Sequence, residues 1–229
     1  MSAAGPVAWH RFETLSDASE ALAEAVAIRL RAALAERGSA LIAVPGGTTP
    51  ARFLAALGER DLAWDKVTLL PTDERFVSPD DAASNERMIR AAFAPLNKGR
   101  ARFLSFHGHG DDLDAAARVL SSQLAALPPI DILISGMGAD GHIASLFPGD
   151  DAALAAPDPV QAVAARPAGL PPRISLSPAR LAASGWAALL VAGPDKAETL
   201  ASAQALPAAF PVGLLLGRPQ GLDVYWAKA

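Results

Sequence analysis

Residues 131–149 read Asp131-Ile-Leu-Ile-Ser-Gly-Met-Gly-Ala-Asp-Gly-His-Ile-Ala-Ser-Leu-Phe-Pro-Gly149. Asp131 to Ser135 is a short apolar run of the kind that forms a strand buried on both faces, as in a parallel sheet. Gly136, Gly138 and Gly141 then satisfy G-x-G-x-x-G, which marks a dinucleotide turn only when a long helix follows. Here Ile143 to Phe147 is stopped within about two helical turns by Pro148-Gly149. The glycines therefore serve a different end: they let backbone approach a ligand closely and present Asp140 and His142 at a tight turn. Imidazole is the side chain best suited to proton transfer near neutral pH, which makes His142 the first catalytic candidate. The plainer alternative is a structural histidine bonded to backbone.

Outward from this stretch, short apolar runs alternate with amphipathic ones, and Gly, Pro and Asp collect at the joints. Asp17 and Glu20 can form a capping box, Leu22, Val26, Leu30 and Leu34 share one helical face, and Gly38 supplies a stop, which predicts a helix over about residues 17–37. Leu41 to Val44 and Val67 to Leu70 read as buried strands. The first is followed by a helix with Thr49 as N-cap and Pro50 as its first residue. Helices are expected at Ser84 to Phe93 and Asp112 to Ala126, with strands at Arg102 to Phe106, Ile174 to Leu176 and Ala188 to Val191. Between Pro148 and Pro172 the text is looser and rich in Ala and Pro. Strands joined by crossover helices pair in parallel with right-handed connections, so the expected fold is a three-layer α/β/α sandwich on a mostly parallel central sheet, with residues 1–229 forming one domain.

In such a sheet ligands sit beyond the carboxyl ends of the strands. Gly46, Gly47, Thr48 and Thr49 follow one strand and precede a helix N-terminus, where free amides and the helix dipole favour an anion such as phosphate. No Gly-Lys-Thr/Ser follows, so this is not a Walker A loop. Thr72-Asp73-Glu74-Arg75 follows the next strand, with Ser84-Asn85 beyond it. Three successive charges there are expected to face a cleft, because burying a charge unpaired is costly. Asp73 and Glu74 could bind a metal, but no histidine or third carboxylate stands at a convincing spacing, and no metal site is expected. His107 and His109 read as solvent-exposed loop residues, and His10 as incidental.

The 229 residues are 51% hydrophobic and 19% charged, which excludes disordered, collagen-like and coiled-coil chains. Twenty basic against twenty-four acidic residues give a net charge of −4 with no basic block, which argues against a nucleic-acid partner. Zero cysteine excludes thiolate chemistry and disulfides and fits a reducing compartment. The longest apolar stretch, Trp186 to Gly193, falls far short of a bilayer span, and Met1 to Arg11 lacks the pattern of a secretory signal, so no membrane partner and a cytoplasmic location are expected.

The segments Val44-Pro-Gly-Gly-Thr-Thr-Pro50, Thr72-Asp-Glu-Arg-Phe-Val77 with Ser84-Asn85, Asp131 to Gly149, Arg173-Ile-Ser-Leu176 and Gly193-Pro-Asp-Lys196 resemble the 6-phosphogluconolactonase family in order and spacing, over about residues 10–226. The Gly-His-x-Ala-Ser-Leu-Phe-Pro segment is the most specific part. The resemblance implies the fold group of glucosamine-6-phosphate deaminase, ribose-5-phosphate isomerase and CoA transferases. It also implies cofactor-free hydrolysis of 6-phospho-D-glucono-1,5-lactone to 6-phosphogluconate in the pentose phosphate pathway. The chain departs from the family at Val77-Ser78 and lacks the acidic residue often found after the terminal strand.

Lactone hydrolysis needs an activated water, a partner for the oxyanion and a proton for the departing ring oxygen. His142 suits the first and third tasks, with Asp140 or Asp73 to orient it and Arg75 to stabilise charge or bind hydroxyls. Arg173 and Lys196 resemble the family's phosphate ligands and would join Gly46 to Thr49. A surface cation is the plainer account of each, and it weighs more for Arg173. Two rival functions stay open. One is a deaminase or isomerase using Asp73 as a carbon base, although Ala144 to Pro148 is unlike the deaminase pattern. The other is a non-catalytic sugar-phosphate-binding module.

Overall fold

The computed structural model describes residues 4–165 and 169–229, and the side chains of all of these except 94–97. Seven strands form one sheet: β1 (Val7–Phe12), β2 (Ala40–Val44), β3 (Val67–Pro71), β5 (Arg102–Phe103), β6 (Ile132–Ser135), β9 (Trp186–Ala192) and β10 (Leu222–Ala227). Their order is β1-β10-β9-β6-β2-β3-β5, and every neighbouring pair is parallel. Three further strands, β4 (Asp73–Arg75), β7 (Val160–Val163) and β8 (Arg173–Leu176), form a small antiparallel sheet in the order β4-β8-β7.

Period-2 alternation feeds two cores. Ile42, Val44, Leu69, Ile132 and Ile134 face one side, where α1 (Leu15–Arg37), α2 (Thr49–Gly58) and α3 (Asn85–Asn97) bring Leu22, Val26, Leu30, Phe53, Leu57 and Ile89. Leu41, Ala43, Leu133, Leu189 and Val224 face the other. There they meet Leu120 and Leu124 of α4 (Leu113–Ala125), Leu200 of α7 (Pro194–Ala205) and Leu215 of α8 (Gly213–Leu216). The second face also takes Val160, Ile174 and Leu176, so the small sheet shares this layer with the helices. Short helices α5 (Asp151–Leu154) and α6 (Pro178–Ala182) and two 3-10 turns, Trp64–Lys66 and Pro207–Ala209, complete the described elements. The sandwich and its parallel sheet follow the sequence expectation, whereas the antiparallel sheet does not: Ile174 to Leu176, expected with the main strands, pairs with β4 and β7 instead.

Local corrections have local causes. The N-cap of α1 is Thr14, whose Oγ1 accepts from Asp17 N at 3.1 Å, so Asp17 sits inside the helix and not at its cap. Thr49 is the first helical residue of α2; Thr48 is the N-cap and its side chain caps nothing. The expected strand Arg102 to Phe106 pairs only through Arg102 and Phe103. No helix forms over Ile143 to Phe147; Leu146 N donates to Ile143 O at 2.9 Å and closes a two-residue turn. The stretch between Pro148 and Pro172 contains β7, and 166–168 within it lie outside the described residues, as do 1–3 at the start of the chain. Among the described residues no helix is long and apolar enough to cross a membrane.

Candidate active site

From β2 the chain goes on to β3 on one side, while from β6, the other neighbour of β2, it rejoins the sheet at β9 on the opposite side, so the two connections diverge and open a crevice at the carboxyl ends of β2 and β6. A cleft of about 300 Å³ occupies that place. The loops after β2, β3 and β6, the end of β9 and the start of α7 line it, and they bring together Gly46 to Thr49, Asp73, Arg75, His142, Arg173 and Lys196.

In the loop after β6, Gly138 N donates to His142 O at 2.9 Å and Gly141 N to Gly138 O at 3.1 Å, which folds the chain tightly under the imidazole. Gly141 has φ +81°. A Cβ on Gly138 would lie 2.1 Å from His142 Nδ1 and 2.6 Å from Asp140 Oδ1, so only glycine leaves room for the pair. Asp140 Oδ1 is 2.6 Å from His142 Nδ1. An ionised carboxylate can only accept, so the proton sits on Nδ1 and Nε2 is left as a base. Burial acts to raise the Asp140 pKa, but hydrogen bonds from the His142 backbone and side chain outweigh it and hold the carboxyl below its ordinary range. Asp140 therefore stays charged at neutral pH. Thr199 of α7 donates from Oγ1 to Ala139 O at 2.9 Å and steadies this loop, a contact with no sequence signal.

Alternation along β4 divides the three charges. Asp73 and Arg75 point into the cleft, while Glu74 turns the other way and is buried, which corrects the expectation that all three face a ligand. Glu74 Oε1 accepts from the backbone N–H groups of Arg75 and Asn85, both at 2.7 Å. Its Oε2 accepts from Glu86 N at 2.6 Å and Ser84 Oγ at 3.1 Å, with His107 Nε2 also 3.1 Å away. His107 is thus not a solvent-exposed loop residue: its side chain is 11% exposed. Ligand atoms of Glu74, Glu86 and His107 lie within 4.8 Å of one another, so tertiary folding supplies the histidine and third carboxylate that spacing had ruled out. Glu86 is committed as well, to Arg90 Nε at 2.7 Å and Ser105 Oγ at 2.6 Å, and the group works as a hydrogen-bonded anchor under α3. His10 is also engaged, 2.6 Å from Asp223 Oδ1.

Asp73 does not touch His142. Its Oδ2 accepts from Ser145 Oγ at 2.5 Å and faces Arg173 Nη1 at 3.6 Å, and its Oδ1 accepts from Thr72 Oγ1 at 3.2 Å. Of the two acids that could orient the imidazole, the contact belongs to Asp140. Asn85, noted in sequence only as part of Ser84-Asn85, proves central. Its Oδ1 accepts from Arg75 Nη1 at 2.6 Å and its Nδ2 donates to Asp73 O at 2.8 Å. A Cβ on Gly46 would lie 1.8 Å from Asn85 Oδ1, which explains a glycine there.

Three cations line the cleft. The antiparallel register sets Arg75 directly opposite Arg173, a like-charge pairing that costs stability unless an anion lies between. Nε of each is buried without a partner. Burial lowers the Arg173 pKa, Asp73 opposes that and Arg75 adds to it, yet guanidinium remains charged. Arg173 is no surface cation, its side chain being 12% exposed. Lys196 sits in the first turn of α7, where the dipole disfavours a cation, and Trp226 Nε1 holds the preceding Gly193 O at 2.8 Å.

Residues 13–226 match the family described as glucosamine-6-phosphate isomerases/6-phosphogluconolactonase. The chain belongs to this family. A 6-phosphogluconolactonase of Rhizobium meliloti (strain 1021) is 39% identical over 227 residues, covering 95% of this chain and 97% of its own. One from Mesorhizobium japonicum is 38% identical over 226 residues, covering 96% and 94%. The crystal structure of a 6-phosphogluconolactonase from Shewanella baltica OS155 matches with a TM-score of 0.90 at 28% identity, over 98% of this chain and 99% of that one.

Proposed function

We propose that the protein hydrolyses 6-phospho-D-glucono-1,5-lactone to 6-phospho-D-gluconate, acting without a cofactor in the oxidative pentose phosphate pathway of the cytoplasm, with residues 1–229 as one domain. The observation that carries this reading is the Asp140–His142 pair, with Nε2 left as a base, on the rim of a cleft lined by three cations. His142 takes a proton from water as its oxygen bonds the lactone carbonyl carbon. When the tetrahedral intermediate collapses, the imidazolium returns that proton to the departing ring oxygen, leaving the open-chain acid. Gly46 to Thr49, Arg173 and Lys196 hold the phosphate, where amides at the α2 N-terminus add to the two charged side chains. Arg75, held by Asn85, faces the carbonyl end or the sugar hydroxyls.

Carbon-proton chemistry of the deaminase type is disfavoured by the state of Asp73. Its carboxylate is already engaged by Ser145, Thr72 and Arg173, so it is poorly placed to abstract a proton from substrate. The deciding experiment follows lactone opening against its spontaneous rate, using chelator-treated protein, with glucosamine 6-phosphate as a parallel substrate. Accelerated lactone hydrolysis with no ammonia release is expected. Release of ammonia, or loss of hydrolysis that one divalent ion restores, would overturn the cofactor-free lactonase.

A further inference from the structure

The loop that carries His142 contains a second group that the roles above leave unused. Ala144 lines the cleft and has φ +48°, one of two non-glycine residues with positive φ among the described residues. Because Leu146 N donates to Ile143 O, Ala144 and Ser145 are the central pair of a turn. Positive φ at the first of them only is the pattern of a II′ turn, whose first central position normally belongs to glycine. Alanine there is strained, and such strain persists only where the surroundings over-determine it.

They do so here. Ser145 is fully buried, its N–H donates to Ser175 Oγ at 3.2 Å and its Oγ to Asp73 Oδ2 at 2.5 Å. Ile143 and Leu146 on either side are core residues. The turn is thus locked by its second half, while the N–H of its first half donates to no partner among the described residues. A backbone donor without a protein acceptor, held in a strained conformation beside the catalytic base, calls for an acceptor supplied from the cleft.

We propose that the Ala144 N–H is the hydrogen-bond donor that receives the negative charge developing on the lactone carbonyl oxygen. This rests on the hydrolysis proposed above. As the water oxygen bonds the carbonyl carbon and its proton passes to His142, the carbonyl π pair moves onto oxygen. That oxygen then bonds to the Ala144 amide until the pair returns and the ring C–O bond breaks. Arg75 is less suited to this task, since its Nη1 is committed to Ala83 O at 2.9 Å and Asn85 Oδ1 at 2.6 Å and its unpartnered Nε is buried. A donor fixed on the same loop as the base, needing no reorganisation, is the arrangement that stabilises an oxyanion most.

The test replaces Ala144 by L-lactate through nonsense suppression, which turns the amide into an ester, deleting the N–H and weakening Ile143 O as acceptor of Leu146 N, an effect that the melting temperature reports. In a variant with unchanged melting temperature, kcat on the lactone should fall by about 10²- to 10³-fold, the scale for one oxyanion donor. KM should stay within about threefold, because the bond forms mainly in the transition state. A folded ester variant with near wild-type kcat overturns the proposal. Should the ester not fold, the ¹⁵N-labelled wild-type protein decides the matter. 6-Phosphogluconate places a carboxylate oxygen where the oxyanion forms and should move the Ala144 amide proton downfield, whereas glucitol 6-phosphate should not; an equal response to both overturns it. A wild-type protein that leaves lactone hydrolysis at its spontaneous rate would instead remove the function itself, a failure distinct from either of these.

Discussion

His142 illustrates how much one position depends on its neighbours. Three glycines and a buried strand set the imidazole at the cleft, Gly138 leaves space for it, and Asp140 fixes its tautomer. Asn in its place can still hydrogen-bond but cannot accept a proton, so His142→Asn should preserve folding and KM while lowering kcat about 10²- to 10⁴-fold. The carboxylate of Asp140, which fixes the tautomer, should stay charged well into acid. Its folded pKa is depressed, so its charge is present above the ordinary carboxylate value and is lost only as pH falls through the lower folded one. A stable His142→Asn protein with near wild-type kcat would falsify the general-base assignment. At this scale the sequence was legible for His142, Asp140 and Lys196, because each stands at a joint where its type is unusual. Ala144 and Thr199 were not, since an unpaired amide and a contact across 60 residues leave no trace in residue type.

The strand β4 shows what an element adds to its residues. Three charges in succession look alike in sequence, but a period of two must send the middle one to the opposite face. Glu74 is the result, a buried carboxylate whose oxygens take three backbone N–H groups, a serine hydroxyl and the His107 ring. It binds the N-terminus of α3 to β4 and thereby sets Asn85 against Arg75. Glu74→Gln replaces one acceptor by a donor facing other donors, so stability should drop by about 2 to 3 kcal/mol, the scale for hydrogen bonds to a buried charged group. Urea denaturation measures that loss. Lactone kcat/KM at a temperature where the variant is folded should also fall, through misplaced Arg75. Unchanged stability would mean that α3 is held by its apolar face alone. The strand itself was missed because three charged residues carry no strand propensity, and its partner β8 lies about a hundred residues downstream; only the register that pairs Arg75 with Arg173 reveals it.

On the scale of the whole molecule, Arg218 joins parts that the sequence keeps apart. It is 1% exposed, and its guanidinium donates to Leu181 O, Ala182 O, Ser184 O and Ser184 Oγ behind α6 and to Gly221 O before β10. Burial lowers its pKa, yet an arginine so placed stays charged. Each carbonyl left unpaired in a dry interior costs about 1 to 3 kcal/mol, so Arg218→Met should destabilise the protein by at least about 3 kcal/mol. The folded fraction should turn over lactone normally, since Arg218 lies away from the cleft; a stable Arg218→Met with impaired kcat would contradict that structural role. The layered α/β/α plan was written in the sequence itself, because a parallel strand must be apolar on both faces and its crossover helix on one, and both patterns are local. The loop Gly46 to Thr49 and the loop of His142 were legible for the same reason: glycines and a helix start announce themselves over five or six residues. What only the tertiary structure decided is which distant groups meet. The small antiparallel sheet, the inward turn of Arg173, the choice of Asp140 over Asp73 as the partner of His142 and the burial of His107 against Glu74 all depend on register and crossover geometry. Those are fixed by how two faces of one sheet fill with side chains, a property of the packed whole that no window of sequence contains.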